Sequence, residues 1–596
     1  MKKILSLLLT ILLLLSSMLF VPACTDRDSA QDGTQSNTSE EPTAPPIQDY
    51  DKPTSAPLEI VKDGVAQYTL VTPKNASAAV MSARTTLVRA IQELTGVSLY
   101  RIDDEEAAKT SGNYILLGTT CFDESATVIE SLAKNEEAFA VKRLGEHIVF
   151  ATHFDCDITK AVEQYVATLL AEQYDKSTKT LTLTEHRSNG AEALPTTFDV
   201  SKIASYKIVY SKQLDGYYEI AQQIQEQLLR AAGVKLPVVL DTATVETSQE
   251  ILIGETTRHL SRKCYKNGAA LMEYKAVVEK GQLQLVCGGP YSAKLGGIAL
   301  ADAIRKDRKM VLPAGTHMEK QLATETIPHT EGTDIRIMSA NILSESAITN
   351  PDKHPPSYER AEIFAKILVD YTPDLVGVQE MDGGFHAPME HYFKVIKKVY
   401  GIEYTMLLST YQSKVNHSPI IYRSDKYKLD QQKFTPMSYT SSAVKEYSSG
   451  ISSAKFTSLA EPSVEVALLS AHWHWEAEYA SSTPKQYCDA VEMAAVVKEL
   501  QTAYPNARVF CTGDFNSHRY SGAYFNQFIN SINGAVASKI ADANGVLIPS
   551  FKHQNQYIDH IVGTAGSFDV LLHRGASNSY QTLTDHQPIF ADIKFQ

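Results

Sequence analysis

Three short segments in the first half of the chain return about 136 residues later, and this spacing constrains the fold of everything before residue 328. Leu94-Thr95-Gly96-Val97-Ser98-Leu99 comes back as Ala231-Ala232-Gly233-Val234-Lys235-Leu236, and Ile115-Leu116-Leu117-Gly118-Thr119-Thr120 as Ile251-Leu252-Ile253-Gly254-Glu255-Thr256. Gly145-Glu146-His147-Ile148-Val149-Phe150 is answered by Gly281-Gln282-Leu283-Gln284-Leu285-Val286, so the offsets are 137, 136 and 136. A near-constant offset means two tandem copies of one fold. Each copy reads as a strand (68–71; 206–210), a helix with apolar spacing near 3.6 (79–94; 217–232) and a short apolar strand ending in Gly. A hairpin-like strand pair and a closing helix (158–170; 293–304) follow. The pattern predicts two tandem small α+β domains, over 58–190 and 191–328, each with its helices on one face of its sheet.

The N-terminus carries a different signal. Lys2 and Lys3 precede a nearly unbroken apolar run from Ile4 to Val21, which ends at Pro22-Ala23-Cys24. This is the pattern of a secretory signal, and a small residue directly before cysteine resembles the bacterial lipoprotein signal. Residues 1–23 are then a lipoprotein signal peptide, and the resemblance implies a lipidated Cys24 holding the protein on the extracellular face of a membrane. An ordinary signal with an incidental cysteine is the alternative. From Thr25 to about Pro57 the composition is Ser, Thr, Asp, Glu, Gln and Pro with little to bury, so 24–57 is expected to be a disordered tether.

The two copies are similar to the small α/β domain that precedes the barrel in some family 20 hexosaminidases and family 67 glucuronidases. The similarity lies in the Thr-Gly-Val and Ile-Leu-Leu-Gly-Thr segments. It implies accessory domains with glycan contact; a spacer or packing platform is the plainer reading, since neither copy holds a clustered acid pair or a metal-ligand spacing.

From about Thr333 to Gln596, apolar strands alternate with helical segments, as in 335–340, 360–370, 375–378 and 391–400, with Gly, Pro and Asp at the boundaries. This predicts a layered α/β sandwich of two packed sheets flanked by helices, four layers in all. Six of its apolar strand ends carry polar clusters. They are Ser339-Ala340-Asn341, Val378-Gln379-Glu380, Ser470-Ala471-His472, Gly513-Asp514-Phe515-Asn516, Tyr557-Ile558-Asp559-His560 and Thr584-Asp585-His586-Gln587-Pro588. Polar groups in such places are costly to bury unpaired, and on separate strand ends they can converge on one rim of a sheet.

These segments, with Arg360 before Pro373-Asp374-Leu375-Val376-Gly377-Val378-Gln379-Glu380 and with Ser418-Pro419-Ile420-Ile421-Tyr422-Arg423, resemble the endonuclease/exonuclease/phosphatase superfamily. The resemblance runs through the whole of 333–596. It implies a magnesium-dependent phosphoester hydrolase, manganese being the other candidate ion, with Glu380, Asn341 and Asp585 as metal ligands. Hydrolysis of a phosphoester needs an activated water, neutralised phosphoryl oxygens and stabilisation of the leaving oxygen, and hard carboxylate and amide oxygens suit magnesium. Asp514 would orient or deprotonate the water. Asn516 would hold the phosphate or the water from the same side of the strand. His472 and His586 would donate to phosphate or move protons, and Asp559 would fix the tautomer of His586 and favour its cation. Arg423 reads equally as a phosphate contact or a surface ion pair. His474, His518 and His560 read as supporting or exposed groups. If 472–475 is extended, Trp473 faces the core and Trp475 is free to line a cleft.

Net charge is −13, and the last domain has no basic run longer than Lys397-Lys398. A sequence-independent grip on nucleic acid usually needs a basic stripe, so the nuclease reading is weakened although bound cations can replace lysines. Ala471-His472-Trp473-His474-Trp475 resembles the deadenylase-type branch, but an extracellular protein meets no obvious polyadenylated substrate. The substrates implied are extracellular nucleic acid, a phosphorylated glycan or a lipid headgroup. A phosphomonoesterase on sugar or inositol-type phosphates and a non-catalytic surface binding protein are the alternatives. Of seven cysteines, six follow Cys24 without a Cys-x-x-Cys spacing and read mostly as small buried hydrophobes.

Overall fold

The computed structural model describes residues 58–596 apart from 136, 169, 190–193, 322–326, 349–352, 412–413, 438–449, 475–484, 518–521, 538–548, 552–555 and 577–582. The signal segment 1–23, the tether 24–57, Cys24, Trp475 and His518 lie outside the described residues.

The first copy contains β1 (Thr69–Thr72), α1 (Ala78–Thr95), β2 (Tyr100–Asp103), β3 (Tyr114–Leu117), α2 (Asp123–Asn135), β4 (Glu137–Leu144), β5 (His147–Thr152), α3 (Ile158–Thr168) and β6 (His186–Asn189). The second contains β7 (Lys207–Tyr210), α4 (Tyr217–Ala232), β8 (Val238–Leu240), β9 (Glu250–Ile253), α5 (His259–Tyr265), β10 (Tyr274–Glu279), β11 (Gln282–Cys287), α6 (Pro290–Lys306) and β12 (Gly315–Lys320). Their sheets have the same strand order, β2-β1-β3-β5-β4-β6 and β8-β7-β9-β11-β10-β12. The glycines of the three repeated motifs share a backbone state as well. Gly96 and Gly233, Gly118 and Gly254, and Gly145 and Gly281 all have φ between 59° and 80°, a conformation that side chains with a Cβ rarely adopt. The first pair ends α1 and α4 as left-handed C-caps.

The helices are not confined to one face, as the sequence pattern suggested. In the first copy Leu70, Ile115 and Leu117 pack with α1 and α3. The alternate residues Val71 and Leu116 pack with Val128, Ile129 and Leu132 of α2 on the other side. In the second copy Val209 and Leu252 likewise meet Leu260 of α5. A strand apolar at every position needs a cover on both faces; α2 and α5 provide it, and they are short and polar enough to pass for loop in the sequence.

The C-terminal part contains β13 (Ile335–Asn341), α7 (Ser357–Tyr371), β14 (Leu375–Gln379), α8 (Gly383–Tyr400), β15 (Tyr404–Leu407), β16 (Ile420–Arg423), β17 (Tyr427–Pro436), β18 (Gly450–Ser458), β19 (Glu465–His472), α9 (Lys485–Ala503), β20 (Arg508–Asp514), α10 (Ala523–Ser531), β21 (Gly534–Val536), β22 (Asp559–Thr564), β23 (Phe568–Gly575) and β24 (Ile589–Phe595). One sheet has the order β15-β16-β14-β13-β24-β23 and the other β17-β18-β19-β20-β22-β21. Ile335, Ile337 and Leu375 of the first meet Val466, Leu468, Phe510 and Ile561 of the second in an apolar layer between the sheets. The alternate residues of β19, Ala467, Leu469 and Ala471, face α9 and α10. Helices α7 and α8 cover the outer face of the first sheet. The result is a four-layered α/β sandwich.

Two features bear on the site. The sheets approach closely at Gly377, where a Cβ would run into Thr512 Oγ1; only glycine fits. Helix α7 is buried at every position except Tyr358, and one continuous core joins it both to its own sheet and to the second copy.

Candidate active site

Strands β13 and β14 are parallel neighbours with Asn341 opposite Gln379, so Asn341 and Glu380 leave the same edge of the first sheet side by side. In the second sheet His472, Asp514 and Asp559 stand in one row across β19, β20 and β22. Packing the sheets brings the two edges together. Asn341 Nδ2 donates to Glu380 Oε1 at 2.8 Å and to Asp514 Oδ2 at 3.0 Å, bridging the layers.

Two overlapping groups result, Glu380 with His472 and Asp514, and Asp514 with Asp559 and His586, each with ligand-type atoms within 4.8 Å of one another. His472 Nε2 lies 3.6 Å from Asp514 Oδ2 and 3.9 Å from Glu380 Oε1. His586 Nε2 lies 3.6 Å from the same Asp514 oxygen, while its Nδ1 meets Asp559 Oδ2 at 2.8 Å. Asn516 donates its backbone N–H to Asp514 Oδ1 at 2.8 Å and its Nδ2 to the Trp473 carbonyl at 2.8 Å, and that Nδ2 is 3.1 Å from His472 Nε2.

Asn516 does not reach the site by strand alternation. The strand stops at Asp514, and Asn516 has φ 45°, while Glu380 has φ 60°. Left-handed non-glycine residues cost of order 1–3 kcal/mol each and persist where surrounding contacts hold them. The Ser344 N–H to Glu380 Oε2 contact at 3.0 Å is one such restraint.

The electrostatics follow from burial and charge crowding. Burial, with Asp559 beside it, pushes the Asp514 carboxyl up to about 6. For His586 burial favours the neutral ring, but Asp559 and then Asp514 override it and raise the imidazole from 6.5 to about 10. Burial also opposes ionisation of Glu380, yet the His472 imidazole, the Ser344 N–H and the Asn341 amide hold its carboxyl below the usual range. At neutral pH the site therefore holds a cationic His586 between carboxylates.

Of the eight residues singled out in the sequence, seven meet here. Asp585 does not. Thr584 and His586 are buried while Asp585, at a bend, is partly exposed, its Oδ1 3.4 Å from Thr584 Oγ1. Asn341 donates its Nδ2 to two carboxylates, and its Oδ1 accepts from Leu343 N at 3.0 Å. Arg423 sits at the opposite end of its sheet from Glu380 and forms a two-pronged pair with Asp425 at 2.7 and 2.6 Å; the ion-pair reading holds. Trp473 is core, edge-on to Phe515, Phe525 and Phe528. His560 is buried and stacked on Phe525.

Sequence reasoning missed the support under this edge. Asp489 Oδ2 accepts from His474 N at 2.9 Å and faces its Nδ1 at 3.0 Å, and Gln486 Nε2 donates to the carbonyls of His474 and Asn516. Both lie at the start of α9, where nothing in the sequence separates them from ordinary helix polarity.

No protein-family model and no curated protein sequence matches the chain. Among solved structures it is similar to an endonuclease/exonuclease/phosphatase from Bacteroides vulgatus (18% identity, TM-score 0.34, covering 44% of this chain and 100% of that one). It is also similar to the human Nocturnin catalytic domain with bound sulfate (15% identity, TM-score 0.34, 45% of this chain and 97% of that one). A third is ANGEL2, described as a 2′,3′-cyclic phosphatase (12% identity, TM-score 0.34, 44% and 96%).

Proposed function

We propose that the chain is a divalent-metal-dependent phosphoester hydrolase of the endonuclease/exonuclease/phosphatase type, acting on a phosphodiester. The observation that carries this reading is the meeting of two carboxylate–imidazole groups on the shared Asp514, built from the edges of two sheets. The donor set fits a hard cation. Glu380 Oε1 and Asp514 Oδ2 are held near one another by a single amide, and their crowded negative charge favours a divalent ion with oxygen preference, magnesium or manganese. Glu380 and Asp514 would hold the ion, which when bound neutralises charge on the phosphoryl oxygens.

Asp514, ionised above about 6, is placed to take the proton of the attacking water. The water oxygen bonds to phosphorus and the ester P–O bond breaks. The Nε2–H of cationic His586 donates to a phosphoryl oxygen, and Asp559 keeps that proton in place from the other side of the ring. His472, with a side chain 28% exposed, lies on the open side and can protonate the departing oxygen. Asn516, tied to Asp514 and Trp473, adds a fixed amide beside His472.

A diester is favoured over a monoester by charge. The net charge is −13 and the last domain has no basic run longer than Lys397-Lys398, and a dianionic monoester would gain more than a monoanionic diester from a dedicated Lys or Arg cluster. The basic and apolar N-terminal segment ending at Cys24 supports action at a cell surface through a lipid anchor. The test is a panel of plasmid DNA, RNA, sphingomyelin, teichoic-acid fragments, inositol phosphates and bis(p-nitrophenyl) phosphate, assayed with magnesium and with EDTA. Magnesium-restored turnover of a diester is expected. Turnover undiminished by EDTA, or of monoesters alone, would overturn the reading.

A further inference from the structure

We infer that Arg360 is a positioning residue of this site and that the second tandem copy helps to set it, acting through Glu362 two residues along α7. The inference rests on the hydrolase reading above. Arg360 is fully buried, yet most of its polar contacts are backbone carbonyls. Its Nη1 donates to Ile342, Leu343 and Leu583 at 2.6, 2.7 and 3.1 Å, and its Nε to Pro355 at 2.7 Å. Its Nη2 is 3.5 Å from Glu345, and the Phe385 ring lies against the guanidinium at 4.9 Å.

Those carbonyls belong to the two segments that carry the chemistry. Ile342 and Leu343 follow Asn341 directly, Leu343 donates its N–H to Asn341 Oδ1 from a left-handed φ of 60°, and Ser344 donates to Glu380. Leu583 opens the turn that ends in His586. One planar, always-charged fork thus ties the Asn341–Glu380 edge to the His586 edge, a task the compact ammonium of lysine cannot reproduce.

The same helix is gripped from the other side by the second copy. Glu362 accepts from Met272 N at 2.7 Å, from Ser292 Oγ at 2.6 Å and from Ser292 N at 3.0 Å. The last two lie in the first turn of α6, so a carboxylate from the hydrolase part caps a helix of the preceding copy, where the helix end favours negative charge. Glu359, also buried, pairs with Lys294 of α6 at 3.0 Å. Helix α7 is therefore fixed by contacts to the second copy on one side and fixes the catalytic segments on the other.

The experiment uses the full chain with four variants, Arg360→Lys, Glu362→Gln, the double variant, and Arg336→Lys as control. Arg336 is equally buried but anchors the far end of β13 through Asp592 and the Tyr371 carbonyl. With bis(p-nitrophenyl) phosphate, Arg360→Lys is expected to lower kcat about 30-fold with KM within about 3-fold, since small displacements of catalytic groups cost up to about 100-fold. Glu362→Gln should lower kcat about 5-fold, and the double variant should lose no more than Arg360→Lys alone, the signature of two residues acting through one path. Arg336→Lys should melt earlier and keep its kcat. Faster hydrogen exchange over 342–345 and 583–587 in Arg360→Lys reads the same coupling without turnover. A kcat for Arg360→Lys equal to that of Arg336→Lys, multiplicative losses in the double variant, or unchanged exchange would overturn the inference. A wild type inactive on every diester would instead count against the hydrolase reading, and exchange would still decide the positioning role.

Discussion

Replacing Asp559 by Asn separates the charge of the Asp559–His586 pair from its shape. The two side chains meet at 2.8 Å, both are buried, and Asp559 is the strongest influence raising the His586 imidazole from 6.5 to about 10 against the effect of burial. At about 1.4 kcal/mol for each tenfold change in proton affinity, the site holds that proton by roughly 5 kcal/mol more than water does. Asparagine keeps the volume but removes the charge, leaving Asp514 at 3.6 Å, with a weaker contribution from Asp585, to oppose burial. Because Asp514 must be ionised and His586 protonated, wild-type kcat/KM should fall as pH drops through about 6 and again as pH rises through about 10, where the His586 donor form is lost. In Asp559→Asn the alkaline limb should move acidward by more than two pH units, and kcat at pH 8 should drop by about 10²–10⁴, the range seen when the carboxylate orienting a catalytic histidine is neutralised. The assay is a pH–rate profile on bis(p-nitrophenyl) phosphate with the melting temperature measured alongside. An unmoved alkaline limb with intact folding would refute the pairing of Asp559 with a cationic His586.

Three further outcomes follow from the structure. Glu380→Gln should raise the magnesium concentration for half-maximal activity by at least about 10-fold, read by metal titration, because it removes a charged oxygen donor. Arg336→Ala should destabilise the fold by about 3–5 kcal/mol in urea unfolding, since it leaves Asp592 buried without its partner. Glu246, raised to about 8 by burial with Asp155 beside it, and Glu362, raised to about 7 by burial, each bind a proton in the folded state that the unfolded chain releases near 4.5. Their contribution is present below pH 4.5 and lost as pH rises through about 7 and 8, so Glu246→Gln should flatten the decline in urea midpoint between pH 5.5 and 8.5.

Much of the site was legible in sequence because its residues violate a simple expectation. Asn341, Glu380, His472 and Asp514 each close an apolar strand with a group that would be costly to bury alone, and parallel strands with one polar end bring such groups to one edge. The tandem repeat was legible for a similar reason, since its glycines occupy a backbone state that few other residues adopt. What the sequence hid was decided by local geometry. Asp585 and His586 are neighbours, but the bend at Asp585 leaves the first partly exposed and the second buried. Asn516 arrives through a left-handed turn that no periodicity announces, and α2 looks polar because only a narrow stripe of it touches the sheet. Arg360 was visible as part of a motif, but its role depends on carbonyls 17 and 223 positions away, and spacing alone carries no sign of them.

The most direct test of the central claim is the rate of p-nitrophenol release from bis(p-nitrophenyl) phosphate by the wild type and by Asp514→Asn, both folded and saturated with magnesium. Asp514 is the residue shared by both carboxylate–imidazole groups, so the variant should retain less than about one part in 10³ of the wild-type rate, in line with loss of a residue that serves both metal and water. Equal rates in the two proteins would contradict it.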